Sequence, residues 1–544
     1  MMKNYFKYIL GLLTIVAIVP SCSEDYLDTI PSESASVATI FSTVELAEGA
    51  VNGINELMVK QYDEDYGQGF NGEGTIKLYY GEYPGNNFSK PYMTGWATIF
   101  NQEYHENTSS KYDNYPWHYY YRIISNANII IENIDAATGS DSRKQFVKAQ
   151  ALTFRAYAYT MLIQLYAERW MDNQGETAGV VLRLSSSSDD LPLSTSKEVY
   201  AQIYQDLNDA IELYTESGES RTNGYDPDIH VAYATYARAA LSRQDYSTAL
   251  TNAKLAREDF ALMSNSDYVS SAFAEPTSEW IWYSFGASDE TLYYYSYQAY
   301  LSYSANSSAG RTYRSCISKE LLDKIPDTDM RKNLFINPNM WADQDTSTPE
   351  YDNDYFTQDW DITSSSNVNQ SYYIVTNTTF SNEIRNYFAA KLPYEHSANG
   401  YVNLYEHLKI GSFDAPGVGN TVHIRASEMV LIEAECYYEL GQEGNAQSAL
   451  EELNTTSGRD PQYSCTKTGN ELMDEIVTYR GLELWGEGFD WFDYKRWGKS
   501  IDRKSIANGG NFHTNMAKTI APDEMNEWTW MIPLAESDYN SLVD

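Results

Sequence analysis

Basic residues are scarce in this chain: 38 Lys and Arg stand against 76 Asp and Glu, a formal charge of −38 over 544 residues. Such a surface repels phosphate backbones and offers no basic stripe for counterion release, which excludes nucleic acid as a partner. Cysteine is scarcer, at four; with Cys22 set aside, Cys316, Cys436 and Cys465 form an odd set without C-x-x-C spacing. Neither a disulfide framework nor a zinc site is expected from them. The seven His are scattered, and neither H-E-x-x-H nor G-x-S-x-G occurs, so zinc and serine hydrolysis have no visible machinery. The protein reads as a non-enzyme.

The apolar run from Ile9 to Val19 is too short to span a bilayer. With Lys3 and Lys7 before it and Pro20-Ser21-Cys22 after it, it reads as the n-region, h-region and cleavage site of an exported protein. Residues 23–43 lack periodicity and read as a tether.

What is abundant is tyrosine, with 48 residues in a chain that is 14% aromatic, beyond what a core of this size needs. Helical spacing is also plentiful. Leu46, Ala50, Ile54 and Leu57 predict a first helix over 44–59, and a helical pair is expected from Tyr115 to Ile134 and from Ser142 to Ala167. Further helices are expected over 197–213 and 229–243. Tyr246, Ala249, Ala253 and Ala256 share a four-then-three step with Ala446, Leu450 and Leu453, small residues at a spacing that lets neighbouring helices approach closely. Arg425, Met429, Ile432, Cys436 and Leu440 lie on one face of a helix stopped by Gly441. The fold class is therefore mainly α: about four tetratricopeptide-like helical pairs in two chain-separated groups, with a large irregular region of loops and short strands.

Two stretches resist this pattern. Residues 62–112 carry repeated Gly, Asn and aromatics, and residues 280–420 open with a strand-like run at Trp280–Phe285 and continue as mixed loops. Long loops in a compact fold usually bind something. A sugar ring, with apolar C–H faces and peripheral hydroxyls, needs flat aromatic platforms edged by amides, carboxylates or Arg. Trp96 and Asn101 in the first stretch, and Tyr295, Tyr297, Tyr300, Tyr303, Arg311 and Tyr313 in the second, are the candidate ligand-binding residues. At least half of these tyrosines are expected to pack the non-repeat half instead.

Other constellations read as structure. Glu433 with Glu435, or Glu483 with Glu487, resembles a glycosidase pair, but Glu483 and Glu487 are expected at i and i+4 of a helix, ion-paired beside Arg480 and Lys495. Gly67, Gly69 and Gly72 spell G-x-G-x-x-G with no strand before them, a weak dinucleotide signal. Asp343, Asp345 and Asp354, clustered with Asp352, Asp359 and Asp361, could hold calcium; without the loop glycine of a calcium hand, a solvated acidic face is the plainer reading. No other cofactor is expected.

The run Tyr479-Arg-Gly-Leu-Glu483-Leu-Trp-Gly-Glu487-Gly-Phe-Asp-Trp-Phe-Asp-Tyr-Lys-Arg-Trp497-Gly498 resembles a motif of the SusD/RagB family of Bacteroidetes outer-membrane nutrient-binding lipoproteins. Tyr479 replaces the family's usual Glu, and Phe489-Asp490 stands near its second Arg. Arg425 to Glu435, Lys148 to Tyr157 and Trp530-Met-Ile-Pro533 resemble three more of its segments. The resemblance implies a SusD-like fold over the mature chain, with Arg425, Glu428, Glu435, Arg480, Glu487 and Trp497 in a structural joint between the late repeat and the C-terminal segment. It also implies that Cys22, which resembles a lipobox cysteine followed by the acidic Ser23-Glu24-Asp25, carries a lipid anchoring the protein at the outer-membrane surface. The expected organisation is a signal peptide over 1–22, the tether, a helical part over 44–279, an inserted loop-rich ligand-binding region over 280–420, and a C-terminal part over 421–544. The implied partners are an oligosaccharide or other nutrient and a SusC-like TonB-dependent transporter. Rival readings are a peptide-nutrient binder, a helical scaffold for proteins, and a secreted hydrolase.

Overall fold

A computed structural model of the chain describes residues 36–67, 69–90, 97–286, 296–307, 310, 314–337, 378–398, 400, 402–413 and 417–543. Thr43 accepts from Leu46 N and opens α1 (Val44–Leu57), which buries Val44, Ala47, Val51, Ile54 and Leu57. Leu46, expected on this face, is instead 50% exposed. The stretch expected as a tether folds before its end, since Val37–Ile40 is helical and Thr43 bridges to Thr138.

The helix α2 (Lys111–Asn133) opens earlier than Tyr115 because Ser110 caps it, accepting from Tyr112 N. It also contains Pro116, which removes one backbone donor and disfavours a helix interior. Two tyrosine hydroxyls repair the break. Tyr80 donates to the carbonyl of Tyr112 at 2.5 Å, where the amide of residue 116 would otherwise bond. Tyr166 bridges the next gap, accepting from Trp117 N at 3.2 Å and donating to the carbonyl of Asp113 at 2.5 Å.

Beyond it lie α3 (Asp141–Tyr166), α4 (Ser196–Ser217), α5 (Ile229–Ser242) and α6 (Tyr246–Ala256), followed after the insertion by α7 (Ala426–Glu439), α8 (Glu443–Glu451), α9 (Gly469–Glu483) and α10 (Asp490–Trp497). A capping box of Thr195 and Glu198 starts α4, and Gly218, at φ 62°, ends it. Each helix from α2 to α7 packs on the next, and α7 packs on both α8 and α9. The two expected groups of repeats therefore form one stack, joined where Ala249, Ala253 and Ala256 of α6 are buried at the approach to α7. Charge clamps fix this junction. Arg238 of α5 pairs side-on with Glu428 at 2.6 and 2.7 Å, and Arg257, just past α6, reaches Glu433 at 2.5 Å and Glu452 at 2.7 Å. In the early half Arg155 of α3 clamps Asp206 of α4 at 2.8 and 2.6 Å.

The strand β2 (Trp280–Ser284) pairs antiparallel with β4 (Thr421–Arg425), so the insertion leaves and re-enters the body at one place. A shorter pair, β1 (Phe88–Ser89) with β3 (Cys316–Ile317), ties the insertion to the early stretch. That early stretch is less irregular than its composition suggests. It contains short helices at Asp63–Tyr66 and Gly72–Thr75, a π-helix at Ile76–Glu82 and a helical turn at Ala97–Phe100, with Ile76–Glu82 wholly buried. Cys316, Cys436 and Cys465 are buried free thiols.

Candidate functional site

The two stretches singled out as binding loops meet in space. Beyond the Ser89–Cys316 pair, Lys90 Nζ donates to Ser315 Oγ at 3.1 Å and to the carbonyl of Tyr300 at 3.5 Å. The segments bearing Trp96 and Arg311–Tyr313 therefore spring from adjacent roots. Trp96, Tyr295, Arg311 and Tyr313 themselves lie outside the described residues, as do Cys22 and the aspartates Asp343, Asp345 and Asp354. Burial pushes the Lys90 ammonium down to about 7.

The other predicted residues prove structural. Tyr297, Tyr300 and Tyr303 are buried. The Tyr297 hydroxyl donates to the carbonyl of Gly486 at 2.5 Å, the Tyr300 ring meets Tyr79 edge-on at 6.4 Å, and Tyr303 N donates to Ile410 O at 3.0 Å. None offers an open ring face; they pack the wall behind the loops. Asn101 is half-buried and its amide is spent on the C-terminal segment, donating to Asn515 O at 2.7 Å and accepting from Arg503 at 3.0 Å.

An aromatic file runs from that wall to the surface. Tyr83 stacks on Phe100 at 4.3 Å, Tyr79 lies 5.6 Å from Tyr83 and 6.3 Å from Tyr112, and Tyr112 stacks on Tyr104 at 4.6 Å with a 17° interplanar angle. Tyr104 and Tyr112 are half-buried and sit at the solvent edge. Lys111 edges the pair, and further polar groups gather on the nearby Tyr66. The exposed Lys111 lies 5.5 Å from the Tyr112 ring centre and donates to Tyr66 O at 3.1 Å, while the Tyr66 hydroxyl accepts from Asn114 Nδ2 at 3.0 Å and contacts His118 Nδ1 at 2.7 Å. Burial, then Arg122, hold His118 below its ordinary value, which favours neutral imidazole. Flat rings with an ammonium at the rim can stack a pyranose face and bond its hydroxyls. Sequence reasoning passed over Tyr104 and Tyr112 because they straddle the loop and the first turn of α2; the signal available was Ser110, a helix cap between two tyrosines.

Behind this face lies the joint. Arg425, the last residue of β4, donates to Glu279 at 2.6 Å, to Glu483 at 2.7 Å and to both oxygens of Glu487 at 2.8 and 2.9 Å. Lys409 bonds Glu487 at 2.6 Å, Arg331 pairs with Asp329 and with Glu483 at 2.5 and 2.7 Å, and Arg459 lies 3.3 Å from Glu279 and Glu483. Four cations thus face four carboxylates, all buried. Burial pushes the Glu483 carboxyl up, but Arg459, Arg425 and Arg331 outweigh it and hold the group well below the usual range. Glu487 lies past the end of α9, and its partners are Arg425 and Lys409; the expected pairing of Glu483 and Glu487 with Arg480 and Lys495 on one helix does not form. Lys495 instead donates to the carbonyls of Gln164 and Ala167.

A second chain of charges continues outward. Arg480 pairs with Asp493 at 2.6 Å, Asp493 with Arg496 at 2.9 Å, and Arg496 with Glu435, which also accepts from Trp497 Nε1 at 3.0 Å. Replacing Arg480 with Ala is expected to lower stability by about 1–3 kcal/mol, because Asp493 keeps Arg496 as a partner, and to leave ligand selectivity unchanged. An unaltered urea midpoint would contradict this role.

Glu82 and Asp490 dock the early stretch on the joint. Glu82 accepts from Gly488 N at 2.6 Å and Phe489 N at 3.3 Å, and Asp490 from Asn86 N at 2.5 Å, Asn87 N at 2.7 Å and Asn87 Nδ2 at 2.7 Å. Burial, reinforced at Glu82 by the Asp490 charge, raises Glu82 from 4.5 to about 8, and burial raises Asp490 from 3.8 to about 7. The folded state therefore holds more protons than the unfolded chain between those limits, and this contribution to stability falls as pH rises through the window. In Glu82→Gln, urea midpoints at pH 5 and pH 8 should lie closer together than in the parent; an unchanged gap would refute the assignment.

A stacked helical-repeat body carrying an aromatic, loop-rooted face defines a tetratricopeptide-like protein of the surface-binding kind. Comparison with known proteins gives the family. Residues 25–241 match the family described as "Starch-binding associating with outer membrane", and residues 246–541 match the SusD family. The chain belongs to the SusD/RagB family. It is 21% identical to the SusD-like protein P38 of Formosa agariphila, over 93% of this chain and 95% of that protein. Its fold resembles a SusD-like carbohydrate binding protein from Bacteroides vulgatus, with a TM-score of 0.69 and 20% identity over 92% of this chain and 98% of that one. It equally resembles a SusD superfamily protein from Bacteroides thetaiotaomicron, with a TM-score of 0.69 and 21% identity over 92% and 99% of the two chains.

Proposed function

We infer that this protein captures an oligosaccharide on the aromatic face at the roots of its two loops and hands it to a SusC-like TonB-dependent transporter, without chemistry of its own. It works at the outer-membrane surface, anchored through a lipid on Cys22, with the helical stack available for docking. The observation that carries the binding reading is the stacked, half-buried pair Tyr104–Tyr112 with Lys111 at its rim, beside the adjacent roots of the segments bearing Trp96 and Tyr313. Family membership and the likeness to a SusD-like carbohydrate binding protein support the same class of ligand. Among the described residues no helix is long and apolar enough to cross a membrane.

Calorimetric titration of the soluble body with a panel of oligosaccharides tests this. Tyr104→Ala and Tyr112→Ala are each expected to weaken the best ligand by about ten-fold, the loss of one stacked ring at about 1.4 kcal/mol. Trp96→Ala and Tyr313→Ala should weaken it as well. Affinity untouched in all four variants would place the site elsewhere.

A further inference from the structure

The geometry points to a second interaction surface, a groove along the C-terminal segment that accepts an extended segment of a protein partner bearing apolar and basic side chains. The groove encloses about 550 Å³, within the size of ligand-binding clefts. It lies between the loop before α2, the residues just past α3 and the segment 525–537. Between two short helical turns, residues 529–533 are held there by Trp530 N donating to Leu165 O and Met531 N to His105 O, both at 3.0 Å.

Two features fix the occupant's chemistry. The walls are aliphatic and thioether rather than open aromatic faces: Met525, Met531, Ile532 and Leu534 line the groove, with Met531 49% and Leu534 44% exposed. Such flexible apolar side chains suit protein side chains better than sugar rings, and exposed apolar groups gathered in a concave surface mark protein contacts. The rim is acidic, since Glu106 and Glu168 line the groove and among the described residues no Lys or Arg does, so a Lys or Arg on the occupant finds complementary charge there.

The test uses dye-labelled nonapeptides alternating Leu with Lys, Leu with Glu, or Leu with Ser, together with a labelled maltooligosaccharide, read by fluorescence anisotropy against the soluble body. Because a chain of −38 attracts any cation, two groove variants, Glu106→Gln with Glu168→Gln and Met531→Ser with Leu534→Ser, are compared with Glu212→Gln and Glu216→Gln on the exposed side of α4. The Leu–Lys peptide should bind at least ten-fold more tightly than the other two. Either groove variant should lose about ten-fold of that affinity, while the α4 variant keeps it and the oligosaccharide affinity at the aromatic face is unchanged in all. Equal losses in the α4 variant, no loss in the groove variants, or oligosaccharide binding that the groove variants abolish would each overturn the proposal. So would a dimer of this chain that the same variants dissociate. Failure here leaves the Tyr104–Tyr112 site standing, because that site is read with different variants.

Discussion

Arg425→Met is expected to destabilise the protein by about 3–5 kcal/mol, a large share of the total stability of a folded domain. The substitution preserves much of the side-chain volume but leaves Glu279, Glu483 and Glu487 facing one another with Arg331, Arg459 and Lys409 only partly compensating them. The cost arises from uncompensated buried charge more than from lost contacts. It therefore carries a pH signature. In the parent, Arg425 helps hold Glu483 and Glu487 below the usual carboxylate value of 4.5, so their contribution is present above that value and is lost as pH falls through the depressed folded values. In the variant these carboxylates take up protons more readily, and its deficit should shrink toward pH 4. Urea denaturation at pH 7.5 and pH 4.5, with the double variant Arg425→Met/Glu483→Gln, measures both effects. A deficit below about 1 kcal/mol, or a deficit independent of pH, would show that the joint is not charge-balanced as described.

Gly81→Ala is expected to cost about 3 kcal/mol or more, at or above the upper end for overpacking. A Cβ at Gly81 would stand 2.3 Å from the carbonyl oxygen of Gly488 and 2.7 Å from its Cα, so the obstacle is backbone that no rotamer change relieves. Gly488 itself has φ +95° and admits no side chain on its other side, where Lys77 is 2.7 Å away. The two glycines mark where the π-helical turn crosses the C-terminal joint, a crossing secured by the Lys77 ammonium on Glu487 O at 2.8 Å and by Glu82 on Gly488 N at 2.6 Å. Gly49→Ala makes the control. It lies in α1 with nothing within 4 Å of the added carbon, and Ala there should raise stability by about 0.5–1 kcal/mol. Thermal unfolding of the two variants should shift in opposite directions; a neutral Gly81→Ala would mean that the crossing yields.

The repeats were legible because their information is local. Apolar spacing marks helices at α3, α4, α5, α6 and α7 whatever they pack against; in detail it failed where an exposed Leu46 mimicked a core position in α1 and at the ends of α7, which Arg425 precedes and the 40% exposed Leu440 follows. The early stretch was not legible as core, because its stabilisation is remote. Tyr119, Tyr120 and Tyr157 send their hydroxyls to the buried Glu73 at 3.0, 3.0 and 2.6 Å, and Tyr80 mends a helix more than thirty residues away. Tyrosine satisfies a core and a binding face equally well, so sequence alone could not separate the packed Tyr297, Tyr300 and Tyr303 from the half-exposed Tyr104 and Tyr112. The family motif located the joint residues Arg425, Arg480 and Glu487 but not their partners, since Glu279 lies 146 residues from Arg425 and Asp329 enters through Arg331.

The central claim is capture of a glycan by the Tyr104–Tyr112 face. It is tested most directly by titrating the soluble body lacking residues 1–22 with glycans and peptides in parallel, for the parent and for the double variant Tyr104→Ala/Tyr112→Ala. The prediction is saturable binding of at least one oligosaccharide that the double variant loses by ten-fold or more while it stays folded at the assay temperature and its peptide binding stays within error of the parent. Oligosaccharide affinity identical in parent and variant, or binding confined to peptides, would contradict it.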